Sequence, residues 1–113
     1  MSHAASSPPG TVLISQLLLE DADLRDIVEE FVGSLAQRVS ELQNAYQTLD
    51  WEALTTFAHR LKGAGGSYGY PEISQLAARM EQCFRGADAS NFDQQITALA
   101  NLAAAARAGL ATP

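Results

Sequence analysis

The chain has 113 residues, 47% of them hydrophobic and 18% charged, with four prolines and one cysteine, which fits one compact globular domain and excludes the disordered, collagenous and disulfide-built classes. Thirteen acidic residues against seven basic ones give a formal charge of -6. Arg25, Arg38, Arg60, Lys62, Arg79, Arg85 and Arg107 are scattered without forming a basic stripe, so sequence-independent binding to nucleic-acid phosphates is not expected.

A domain of this size buries roughly 60 to 70% of its unfolded surface and has room only for chemistry with few parts. No apolar run approaches the roughly 18 residues that span a bilayer, and the opening MSHAASSPPG lacks the basic segment and apolar core of a signal peptide. A cytoplasmic protein away from the membrane is the expectation, and a monomer is the simplest state. Cys83 alone forms no internal disulfide, in keeping with a reducing compartment.

Residues 1–10 are crowded with Pro, Gly and Ser and read as a flexible tail in which His3 is incidental. Residues 11–113 read as the domain. Ser15 to Glu20 suggests a short first helix with Ile14, Leu17 and Leu18 on its apolar side. From Asp23 to about Leu49, apolar residues recur at Leu24, Ile27, Val28, Phe31, Leu35, Val39, Leu42, Tyr46 and Leu49, the spacing of a long amphipathic helix. Gly33 inside it costs about 1 kcal/mol relative to alanine, which implies either a close neighbour or a bend.

Asp50 is placed to cap the next helix, with Glu52 near its positive end and Leu54, Phe57, Ala58, Leu61, Gly65 and Tyr68 facing inward. The Gly69, Tyr70, Pro71 stretch breaks it, and a third helix begins near Pro71, burying Ile73, Leu76, Ala77, Met80 and Phe84 with Cys83 beside them as a small hydrophobe. Gly86 and Ala87 turn the chain. Ser90 and Asp93 resemble a capping box, and Phe92, Ile96, Leu99, Ala103 and Ala106 carry a fourth helix toward Gly109. With no β alternation, the expected fold is all-α: an antiparallel up-down-up-down four-helix bundle with a short additional N-terminal helix across one end.

The informative segment is Phe57 to Tyr70, FAHRLKGAGGSYGY. At 100° per residue, His59 points roughly 160° away from the inward face, so it stands on the surface. Glu52, Thr55, Lys62, Gly63 and Gly66 share its stripe. Glycines at 63, 65 and 66 each cost about 1 kcal/mol in a helix, which suggests that something approaches the backbone closely. A metal is not expected: one helical histidine and a distant cysteine do not make a ligand set. There is no G-x-S-x-G, Ser67 lies more than two turns from His59, and GAGGSYG lacks the Gly-Lys-Ser/Thr ending of a phosphate loop.

A neutral imidazole is a nucleophile, and attack on phosphorus would place negative oxygens where Lys62 can stabilise them. His59-Arg60-Leu61-Lys62-Gly63, with Gly69 ten residues after the histidine and Leu76, Ala77, Met80 and Glu81 on the next helix, resembles the H-x-L-K-G signature of histidine-containing phosphotransfer (HPt) domains. The resemblance spans nearly the whole chain. It implies that His59 carries a phosphoryl group, Lys62 stabilises it, Gly63 leaves room for a docking partner beside Gly66, and Gly69 ends the helix. Some family members have Gln where this chain has Glu81, which either hydrogen-bonds the imidazole or repels the phosphoryl group.

The implied function is a phosphorelay carrier without kinase activity. It needs no cofactor in this chain, because the receiver domain of a response regulator brings the Mg²⁺; receivers or a hybrid sensor histidine kinase are the implied partners. The alternatives are a phosphoacceptor domain belonging to a larger sensor kinase and a helical adaptor that is never phosphorylated.

Overall fold

A computed structural model describes residues 12–111; the expected tail over residues 1–10, including His3, lies outside them. The described residues form helices and connecting turns without strands, so the all-helical expectation holds. Helix α1 spans Gln16–Glu20, α2 Arg25–Gly33, α3 Leu35–Gln47, α4 Trp51–Ser67, α5 Pro71–Arg85 and α6 Phe92–Ala111. Among the described residues no helix is long and apolar enough to cross a membrane.

The long helix expected from Asp23 to Leu49 is divided. A 3-10 turn at Ala22–Leu24 precedes α2, and Ser34 separates α2 from α3. Nothing stands within 4 Å of where a Cβ on Gly33 would lie, so no close neighbour requires this glycine. The interruption fits the hydroxyl of Ser34, which donates to the carbonyl of Phe31 at 2.6 Å, a back-bond that bends helices. Ile27 and Leu49, expected to face inward, are 42% and 51% exposed. The buried stripe of α2 is Val28, Phe31 and Val32, with Ile27 at its edge. Leu49 follows the end of α3 with φ 50°, which turns it away from the helix face.

Helix α4 starts as its sequence predicts, with Asp50 Oδ1 accepting from the amide of Ala53 at 3.1 Å. Pro71 opens α5 at its first turn, where its missing N–H leaves no helical bond unmade. The start of α6 differs from expectation. Ser90 donates its hydroxyl to Asp88 at 2.7 Å instead of capping the helix, because Asp88 also accepts the Ser90 amide at 2.9 Å and holds the residue in a turn of its own.

Leu35, Leu42, Leu54, Leu61, Ile73, Met80, Phe84 and Leu99 are nearly fully buried at the centre. Stacked aromatic rings extend this core. Phe31 stacks on Tyr68 at 5.0 Å between centroids, while Tyr46 stacks on Phe92 at 4.0 Å, and Phe84 tilts against the latter ring. The N-terminal segment is pinned from two sides: the Leu13 amide donates to the Ala105 carbonyl at 3.0 Å, and the Gln16 amide to the Gly69 carbonyl at 2.8 Å.

Candidate functional site

Helices α4 and α5 form an antiparallel hairpin whose facing pairs run in opposite order, Gly65 against Ser74 and His59 against Glu81. Small residues let them approach. A Cβ on Gly65 would lie 3.0 Å from the Ser74 amide nitrogen and 3.2 Å from Ile73 Cγ2, tighter than ordinary packing allows. Beside it the Ser74 hydroxyl donates to the Lys62 carbonyl at 2.9 Å. Of the glycines on α4, Gly65 therefore serves contact inside the protein.

The hairpin ends at Gly69, which has φ 87°. The Tyr70 amide reaches back to the Gly65 carbonyl at 2.8 Å and the Gly69 amide to the Gly66 carbonyl at 3.2 Å, the bond pair of a Schellman cap. A Cβ here would strike the Leu17 amide nitrogen and lie 2.6 Å from Ser15 Oγ. Ser15, itself buried, donates to the Tyr68 carbonyl at 2.6 Å.

His59 projects from the outer face of α4 with its side chain 62% exposed, and its Nδ1 lies 3.0 Å from Glu81 Oε2. The Glu81 side chain is only 5% exposed and has two further partners. Lys62 Nζ lies 2.9 Å from Oε1, while Arg85 Nη2 and Nε donate to Oε2 at 2.6 and 3.3 Å. Arg85 first, then Lys62, and to a smaller degree His59 outweigh the opposing effect of burial and hold the Glu81 carboxyl at about 2, below its ordinary 4.5.

An ionised carboxylate only accepts, so in the neutral ring Nδ1 carries the proton and Nε2 keeps its lone pair. Nε2 has no protein partner among the described residues. The cluster thus presents an oriented, exposed nucleophile beside two cations and one carboxylate.

Glu81 bonds the imidazole, the first of the two possibilities its sequence position leaves open. Lys62 lies one turn from His59 but is tied to Glu81. Gly63 is exposed with nothing within 4 Å of a Cβ, whereas a Cβ on Gly66 would touch Ser74 Oγ at 3.6 Å; Gly63 is the more open of the two. Arg85 belongs to the cluster and escapes the sequence reading, although its i,i+4 spacing from Glu81 on one helix was the available signal. A groove between α3 and α4, lined by Arg38, Glu41, Leu42, Phe57, Arg60 and Leu61, does not include His59.

The depressed carboxyl has a consequence for acid stability. Because the folded value lies below the unfolded one, the contribution of Glu81 is fully present above about pH 4.5 and is lost as pH falls toward 2. Acid unfolding monitored by circular dichroism should show less pH dependence across that window in Glu81→Gln than in the parent chain. Identical slopes would mean that the carboxylate has the same proton affinity folded and unfolded.

The family model described as Hpt domain matches residues 26–109, a span that covers most of the chain, includes His59 and leaves α1 outside. The chain belongs to the Hpt domain family. Searches among curated proteins and among solved structures gave no significant match. Hpt domains are phosphocarrier modules of two-component signalling, not kinases, and they interact with receiver domains and histidine kinases.

Proposed function

We propose that this chain is a phosphorelay carrier in which His59 takes a phosphoryl group from the aspartyl phosphate of one receiver domain and passes it to the aspartate of another. The observation that carries the reading is the outward Nε2 of an imidazole whose other nitrogen is held 3.0 Å from a buried carboxylate. On this reading the described residues 12–111 form an up-down-up-down four-helix bundle, with the α2–α3 pair as its first member and α1 as the extra N-terminal helix.

The Nε2 lone pair attacks phosphorus in line with the departing aspartate oxygen, and the bond electrons leave with the aspartate carboxylate. Lys62 and Arg85 carry two positive charges against the single charge of Glu81, so the site tolerates the incoming phosphoryl oxygens. No metal or cofactor belongs to the chain itself; the receiver brings Mg²⁺. This reading puts the domain in the cytoplasm beside its partners.

Incubation with a panel of phosphorylated receivers tests the proposal. Label should appear on this chain and be acid-labile and alkali-stable, as an N–P bond requires. No transfer from any receiver of the panel would overturn the receiver-to-receiver reading.

Gly63 and Gly66 offer the low surface that a receiver needs to reach His59. Gly63→Gln should keep or slightly raise the melting temperature, since glutamine is the better helix former and the position is open. The same variant should transfer at least tenfold more slowly in single-turnover assays, because its side chain projects toward the partner. A stable variant with normal transfer would remove Gly63 from the docking surface.

A further inference from the structure

Glu81 Oε2 is shared by His59 Nδ1 at 3.0 Å and Arg85 Nη2 at 2.6 Å, while Lys62 occupies Oε1. The charged groups against the imidazole thus come from both packed helices, Lys62 from α4, Glu81 and Arg85 from α5. On the phosphocarrier reading, on which the following rests, the N–P bond forms from the Nε2 lone pair as the P–O bond to aspartate breaks. Nδ1 keeps its proton through this step, and the product is a cationic phosphoryl-imidazolium.

That ring has two fates. With the proton retained, imidazole is a good leaving group and the phosphoryl group departs readily. If water takes the proton, the leaving group is poor and the N–P bond persists. A neutral amide at position 81 would accept the same hydrogen bond from the unphosphorylated ring, but only a carboxylate adds charge that favours the cation. At 5% exposure this carboxylate is weakly screened by solvent. Arg85, on the same oxygen, offsets part of its charge.

We infer that Glu81 is a positioning residue that keeps phosphorylated His59 in its cationic, transfer-ready form, with Arg85 moderating the effect, so that the site is a transient carrier and not a store.

The test uses ¹⁵N-labelled parent chain, Glu81→Gln and Arg85→Gln, each charged with phosphoramidate, which transfers its phosphoryl group to Nε2 as ammonia leaves. Decay of phosphohistidine at pH 8 is followed by ³¹P NMR, and the ring ¹⁵N shifts report whether Nδ1 holds its proton. Glu81→Gln should keep the parent tautomer before phosphorylation, lose the Nδ1 proton after it, and lengthen the decay by about three- to tenfold, the scale of a neighbouring charge on a titrating group. Arg85→Gln should shorten the decay.

Equal decay in the parent chain and Glu81→Gln, with label on His59, would overturn the inference and leave the carrier reading standing. Longer decay in both variants would also overturn it, since altered shape alone would then account for the result. Absence of label on His59 of the parent chain would remove the inference and the carrier reading together.

Discussion

Replacing His59 with Gln should abolish phosphoryl incorporation while leaving the helices intact. Glutamine has no nitrogen lone pair of imidazole type to attack phosphorus, and no second histidine is present between residues 12 and 111. The fold should tolerate the change because the side chain is 62% exposed and surface substitutions usually stay within about 0.5 kcal/mol. Glu81, the one buried group that loses a partner, keeps Lys62 and Arg85. Retained label in the variant, read beside an unchanged melting temperature, would assign the phosphoryl group to a different residue.

A large effect on stability is expected at Gly69. An alanine there meets two penalties at once: a left-handed backbone that costs a non-glycine residue about 1 kcal/mol or more, and a methyl group driven into the backbone amides of Gln16 and Leu17 and the Ser15 hydroxyl. Overpacking of that kind adds about 1 to 3 kcal/mol. Gly69→Ala should therefore lose about 3 kcal/mol and melt roughly 10 to 20 °C lower. Gly63→Ala is the control, since it adds the same methyl group in open space and should gain up to about 1 kcal/mol from helix propensity. Equal melting temperatures for the two variants would mean that the N-terminal segment does not press on Gly69 in solution.

The parts of the fold that depend on local rules were legible in the sequence. Asp50 and Pro71 mark helix starts through capping and a preset φ, and the apolar period of α5 names its buried apolar residues, though not the buried Glu81 among them. The break at Ser34 was not legible, because the apolar spacing continues across it and the back-bond to Phe31 is a choice of side-chain rotamer. Ser90 misled because a serine before an apolar run serves a turn as readily as a cap, and Asp88 decides which.

The candidate site divides in the same way. The outward direction of His59 follows from periodicity alone, whereas the hold of Glu81 on it depends on the separation of α4 and α5, which Gly65 and Ser74 set. Arg85 joins through a rotamer that spacing permits but does not dictate.

The pinned N-terminal segment bears on the order in which the molecule assembles. The α4–α5 hairpin closes through contacts near in sequence, at small cost in chain entropy, whereas Ser15 finds Tyr68 across 53 residues and Leu13 finds Ala105 across more of the chain. Contacts of such separation form late and open first. The amides of Leu13 and Gln16 should exchange with deuterium by local opening, well before those in the middle of α4 and α5, and truncation before Gln16 should raise the unfolding rate while barely changing the folding rate. The segment then acts as a latch on a bundle already formed, and its release loosens the end of α4 first.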